Sequence, residues 1–249
     1  MTAGGTSGIF IAHTVTKNTK HTDKMKTKTL LIAAAALAAT VISSEAQVYS
    51  GVVGYVSVAA QPNQFIFVNN PLTTGNDVIS NVLQNLPGGT TAQIWNGSGF
   101  STYTYSALQH HWKQGTSIAD TTPLAPGVGF FLNNATTAIT NTFVGSVVAA
   151  SPGASVTNAI TTSLEPYGAL VPISDVVTNA GTFDLLVSGG TSLQQWSVAN
   201  QQFSTFTYSA LQHTWKVGTA ATNPVIGVAE GFFLQTTTPT NWVQTLPSN

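Results

Sequence analysis

The residues best suited to chemistry occur twice. Residues 100–116 read FSTYTYSALQHHWKQGT and residues 203–219 read FSTFTYSALQHTWKVGT, fourteen identities in seventeen positions at a constant spacing of 103. Each copy carries glutamine, histidine, tryptophan and lysine in one short run: Gln109, His110, Trp112 and Lys113, then Gln212, His213, Trp215 and Lys216. Three chemistries could use such a set. A metal needs several imidazole, carboxylate or thiolate ligands converging on one point. Here one histidine per copy is retained, His111 becomes Thr214, Asp120 sits in a gapped loop and Glu230 has no acidic equivalent. Only a site shared across a twofold axis would remain, so no metal is expected and the histidine reads as a hydrogen-bonded member of a turn.

Sugar binding is the second chemistry. A pyranose offers C–H groups to stack on an exposed aromatic face and hydroxyls to bond nearby Gln, His and Thr. Two such faces on one chain would gain by multivalency. The competing reading makes Trp112 and Trp215 plugs of each β unit with the lysine stem laid over the ring, and the residues favour it. Catalysis is the third. No paired carboxylates recur, Gly97-Ser98-Gly99 is a hairpin turn and no strand-to-helix nucleophile elbow, and only His110, His111 and His213 remain as bases beyond the leader. No enzyme, no catalytic residue and no cofactor are expected.

The elements that must position these residues follow from the repeat, which decides the architecture before propensity does. Residues 89–95 (GTTAQIW) match 190–196 (GTSLQQW), Gly129-Phe130-Phe131-Leu132 matches Gly231-Phe232-Phe233-Leu234, and Pro123 pairs with Pro224, at offsets of 101 to 103. Unit one therefore spans 47–150 and unit two 151–249, joined by the small-residue connector 149–154. Short β-branched and aromatic segments predict strands over 52–58, 64–69, 90–95, 100–105, 128–132 and 142–148. Alternation puts Ser101, Tyr103 and Tyr105 on one face and Phe100, Thr102 and Thr104 on the other. Trp95 and Phe100 should flank a hairpin turn, which unit two replaces with the longer 197–202, as a tolerant loop tip would. One helix is predicted over 77–86, with Val78, Ile79, Val82, Leu83 and Leu86 on one face, Asn76 or Asp77 as cap and Pro87-Gly88 as stop. Its counterpart in unit two is broken by Gly181 and should be truncated. The expected fold is mainly all-β, two tandem homologous β-sandwich-like units with one short helix in unit one.

The first 46 residues stand apart. A basic start at Met25-Lys26-Thr27-Lys28, a thirteen-residue apolar run over 30–42 and Ser44-Glu45-Ala46 have the layout of a signal peptide cut after Ala46. Translation is expected to begin at Met25, the alternative being a longer basic region. The remaining chain keeps two lysines, six acids, no arginine and no cysteine. A phosphate-binding surface needs clustered cations, so no nucleic-acid partner is expected. Without disulfides, stability must come from core burial.

Val52-Val53-Gly54-Tyr55-Val56, the Asn69-Asn70-Pro71-Leu72 segment, the Trp-Asn-Gly hairpin and Pro126-Gly127-Val128-Gly129-Phe130-Phe131 together resemble a group of uncharacterised exported proteins common in Verrucomicrobia-type bacteria. The likeness covers most of unit one and the second half of unit two, which departs from it in having Pro224 to Gly231 where unit one has Pro123 to Gly129. It implies export and β structure and carries no activity.

The expectation is an exported, non-catalytic structural or adhesive protein. Edge strands are normally blunted by lysine, proline or inward charge, which this chain hardly has, so edge-to-edge or head-to-tail contact with itself is the expected partnership. The alternative is a glycan- or ligand-binding module using the duplicated Trp, His and Gln faces, with polysaccharide as partner. The expected place is extracellular or on the cell surface in preference to the periplasm. No apolar tail closes the sequence, so no membrane span is expected after signal removal, and the strands alternate too irregularly for a membrane barrel.

Overall fold

Duplication preserved the alternation of apolar and polar residues, and the two copies fold into similar runs of strands that differ where the first has its helix. The structure, a computed structural model, describes residues 53–248. The leader, the start at Met25 and the cut after Ala46 lie outside the described residues. The first repeat forms β1 (Val53–Ala60), β2 (Ile66–Asn69), α1 (Ile79–Val82), β3 (Thr91–Trp95), β4 (Phe100–Ser106), β5 (His111–Gln114), β6 (Ser117–Ile118), β7 (Gly129–Asn133) and β8 (Ile139–Ser146). The second forms β9 (Ser155–Ile160), β10 (Glu165–Gly168), β11 (Asp175–Val176), β12 (Phe183–Leu185), β13 (Ser192–Ser197), β14 (Gln202–Ser209), β15 (Thr214–Val217), β16 (Ala220–Ala221), β17 (Val225–Ile226), β18 (Gly231–Gln235) and β19 (Thr240–Thr245).

Both repeats build a six-stranded antiparallel sheet of one topology, β2-β7-β3-β4-β5-β6 and β10-β18-β13-β14-β15-β16. A smaller sheet accompanies each: β1-β8 in the first repeat and β12-β19-β9 in the second. The inner face of the first large sheet carries Ala92, Ile94, Trp112, Phe130 and Leu132, all buried, with Ile139 and Phe143 of β8 in the same core. In the second repeat Trp242 on β19 meets Phe232 at 5.4 Å and Phe183 at 5.3 Å between ring centres. Burying each such side chain contributes about 1.5–3 kcal/mol. The fold is nearly all-β and sandwich-like in both halves.

The helix is far shorter than its apolar periodicity suggests. Val78 is extended (φ −109°, ψ 157°), so helix begins only at Ile79. The Asp77 carboxylate is engaged by Thr73 Oγ1 at 2.7 Å and Thr74 N–H at 2.8 Å, a turn that competes with capping. Asn85, at φ 56°, ends the segment. The second repeat has no helix at the equivalent place: β11 pairs with β17 and β12 with β19, separated by Gly181 at φ 93°. The apolar face of 77–86 is buried all the same, since Ile79, Val82, Leu83 and Leu86 belong to the core.

The two repeats close on each other reciprocally. Asn69 on β2 and Gly168 on β10 hold the same register position, opposite Gly129 and Gly231. Asn69 N–H donates to Ala229 O at 2.9 Å, and Gly168 N–H donates to Gly127 O at 3.0 Å. Val68 bridges Glu230 as Tyr167 bridges Val128. The contact is a twofold one written into a single chain. It also explains the repeated Gly-Phe-Phe-Leu. A Cβ on Gly129 would stand 2.9 Å from Tyr167 O, and one on Gly231 the same distance from Val68 O. The first phenylalanine, Phe130 or Phe232, enters the main core, while Phe131 and Phe233 enter a second cluster with Phe67. In that cluster Phe67 stacks on Phe131 at 4.3 Å and on Phe233 at 5.1 Å.

The longer 197–202 connection is a clamp in this cluster. Gln201 accepts from Phe65 N–H at 2.9 Å and donates to Phe65 O at 3.1 Å, and Trp196 Nε1–H donates to the same carbonyl at 2.8 Å. The reading of that segment as a tolerant loop tip is corrected: the insertion reaches across to the other repeat.

Candidate functional site

The duplicated run places its residues on different sides of the sheet. After β4 the chain turns through Ala107, Leu108 and Gln109, all exposed, and re-enters the sheet by way of His110. His110 at φ 56° and His213 at φ 51° both hold left-handed backbone, a conformation histidine tolerates better than most side chains. On β5, Trp112 pairs with Tyr105 on the inner face and Lys113 with Thr104 on the outer face. The second repeat repeats this with Trp215–Tyr208 and Lys216–Thr207. Neighbouring strand residues cannot share a face, so tryptophan and lysine never converge on one ligand.

Both indoles are 1% exposed. Tyr105 lies 5.4 Å from Trp112 and Tyr208 lies 5.5 Å from Trp215, centre to centre, sealing one side of each ring. A pyranose therefore has no tryptophan face to stack on. Gln109 and Gln212 point away at the exposed turn tips, and Lys113 and Lys216 occupy the opposite sheet face. Of the eight duplicated candidates, the structure groups only His110 with Trp112 and His213 with Trp215.

Each group lines a cleft, and the clefts differ. In the first repeat Tyr105, His110 and Trp112 join Leu83 and Asn85 around about 200 Å³. In the second, Tyr208, His213 and Trp215 join Asp184, Leu186 and Asn223 around about 430 Å³. The first cleft is walled by Ser80, Leu83, Gln84 and Asn85 of the helical segment, the second by Thr178 and Asp184 to Val187 instead. The indole's hydrogen bonding differs as well. Trp112 Nε1–H donates to Leu83 O at 3.4 Å, whereas Trp215 Nε1–H is buried and has no acceptor among the described residues.

A further pair escaped sequence reasoning. His111 Nδ1 lies 2.5 Å from Asp120 Oδ2, and the other carboxylate oxygen accepts Trp112 N–H at 2.7 Å. Ala119 N–H to Trp112 O and Thr222 N–H to Trp215 O are equivalent bonds of 2.8 and 2.9 Å, which makes Asn223 the counterpart of Asp120. His111 and Asp120 thus give way together to Thr214 and Asn223. The joint exchange of two polar residues between copies was the signal available in the sequence.

Shifted carboxyl and phenol groups lie elsewhere. Burial pushes the Glu230 carboxyl up, opposed by Gly227 N–H at 2.7 Å and the Gln195 amide at 3.2 Å. The Thr182 hydroxyl, the Asn179 amide and Val176 N–H hold the Asp175 carboxyl down. Burial raises the Tyr167 phenol. Among the described residues no group of three or more His, Cys, Asp or Glu converges as a metal site would require. No protein-family model, curated protein or solved structure matches the chain.

Proposed function

We propose that this chain is an exported, non-catalytic structural or adhesive protein that assembles with copies of itself through strand edges. One observation carries the reading. β1 (VGYVSVAA) and β9 (SVTNAI) are equivalent outer strands without charge or proline, and among the described residues each has a partner on one side only, β8 and β19. An unblunted edge offers a row of backbone donors and acceptors to another strand. The face beside β1 adds apolar surface, with Tyr55 78% and Val53 69% exposed.

Twofold duplication supplies valence. If β1 and β9 are the edges used, a linear assembly follows whether β1 meets β1 or β9, because each addition leaves one of the pair free. Leu108 and Leu211, each 93% exposed at the tips of equivalent turns, add two apolar prongs. With few charges, little electrostatic repulsion opposes association. Export rests on the leader sequence.

The test is the state of the protein expressed with its own leader and purified from the exported fraction. Light scattering and electron microscopy should show particles that grow with concentration. The double variant Ser57→Lys, Thr157→Lys, charged at equivalent outward positions, should remain monomeric with an unchanged melting temperature. A wild-type protein that stays monomeric at high concentration refutes assembly.

A further inference from the structure

We propose that Asn96 is a site of self-modification, converting through a cyclic imide to aspartate and isoaspartate, a property independent of assembly. Asn96-Gly97 is the one Asn-Gly step in the sequence. It stands at the tip of the β3–β4 hairpin, with Asn96, Gly97 and Ser98 all exposed. The reaction needs the Gly97 nitrogen to reach the Asn96 side-chain carbon, and a residue without Cβ leaves that approach open. Gly97 holds φ 95°, and nothing beyond its chain neighbours lies within 4 Å of where a Cβ would stand. Its N–H has no hydrogen bond among the described residues.

The turn prepares the carbonyl for attack. Asn96 Oδ1 accepts Ser98 N–H, Gly99 N–H and the Ser98 hydroxyl, each at 3.0 Å. The first of these bonds bends the side chain back along the main chain in imitation of a backbone turn, which brings Cγ over the Gly97 nitrogen. All three donors meet at the oxygen that gains negative charge as the nitrogen adds, as in an oxyanion hole. The departing amide nitrogen donates to Ser101 Oγ at 3.0 Å, so a hydroxyl stands beside it to return a proton. The Gly97 nitrogen bonds to Asn96 Cγ and yields its proton to solvent. The Cγ–Nδ2 bond breaks, and ammonia leaves with the proton relayed by Ser101. Water then opens either carbonyl of the ring, so amide and water become acid and ammonia. Asn134 is the natural comparison. Its Oδ1 accepts Thr136 N–H at 3.0 Å, Thr137 N–H at 2.9 Å and the Thr136 hydroxyl at 3.3 Å. It is nevertheless 1% exposed, its amide nitrogen is held by Gly88 O and Thr90 Oγ1, and Ala135 follows it. Asn134 should persist while Asn96 converts.

The experiment incubates the full exported chain at mildly alkaline pH and follows each asparagine by peptide mass spectrometry with isoaspartate detection. Both aspartate and isoaspartate should accumulate at residue 96, with Asn134 intact. The folded chain should react about tenfold faster than the same chain in denaturant, because unfolding removes the orientation and the three donors. Ser98→Ala removes the hydroxyl donor and keeps both N–H groups. It should slow the folded chain about fivefold, the loss of one neutral hydrogen bond, and leave the unfolded rate unchanged. Gly97→Ala should slow conversion in both states. No conversion at Asn96, equal conversion at Asn134, or a folded chain no faster than the unfolded one overturns the proposal. So does aspartate without isoaspartate, the mark of direct attack by water.

Discussion

Replacing Gly168 with alanine probes the junction between the repeats with the smallest possible change. Gly168 lacks positive φ, so alanine carries no backbone strain there and the effect is steric. The added Cβ would fall within the side-chain amide and Cβ of Asn69. Asn69 has nowhere to go. It is fully buried and its amide donates to Ala169 O at 3.4 Å and Glu230 O at 3.3 Å. Overpacking a site of this kind costs about 1–3 kcal/mol, and displacing Asn69 forfeits up to two hydrogen bonds at about 1 kcal/mol each. A loss of about 3 kcal/mol is expected; with a urea slope of about 2 kcal/mol per molar, the midpoint falls by about 1.5 M. Adding Asn69→Gly to the same chain removes the obstruction and should recover at least half of the loss, a coupling of about 1.5 kcal/mol or more. A midpoint within about 0.2 M of the wild type for Gly168→Ala, on that same slope, refutes the reciprocal junction. So does a double variant no better than the single one.

Two further changes test other parts of the fold. Burial raises the Glu230 carboxyl in the folded protein, so its contribution to stability is full below the unfolded glutamate range and is lost as pH rises through the raised value. Glu230→Gln should flatten that decline, so that the urea midpoint falls less between about pH 4 and pH 8 than in the wild type; an unchanged slope of midpoint against pH would reject the assignment. Asn141 is 1% exposed and neither end of its amide has a partner among the described residues, where the second repeat holds Trp242 at the equivalent β19 position. Asn141→Leu should stabilise the protein by about 1–2 kcal/mol in thermal unfolding, since an unmet buried amide is replaced by an apolar group of similar size; a lowered melting temperature would contradict this.

Strand alternation was legible because it depends on neighbours. Tyr103 and Tyr105 fall on the inner face and Thr102 and Thr104 on the outer, and Trp95 pairs with Phe100 across the Asn96–Gly99 turn, as their spacing requires. What alternation cannot carry is partnership at a distance. Asn69 and Gly168 are unremarkable residues until the two edges meet, and Gln201 looks like loop filler until Phe65 is placed beside it. Residues 77–86 satisfy a helical period, yet the Asp77 turn and the extended Val78 confine the helix to Ile79–Val82 while the same apolar side chains reach the core. At the candidate site, the identities of His110, Trp112 and their copies marked the right neighbourhood. Their burial and opposed faces depend on the sheet, and the difference between the clefts depends on a segment where the repeats no longer match.

The asymmetry at the junction has a consequence for how such a chain can grow. Asn69 fits only opposite a residue without a side chain, and Phe67, Phe131 and Phe233 are covered only when two copies meet. A third copy appended to the gene would find no free mate and would leave its aromatic face to water. The two copies, now that one has taken the asparagine and the other the glycine, have ceased to be interchangeable.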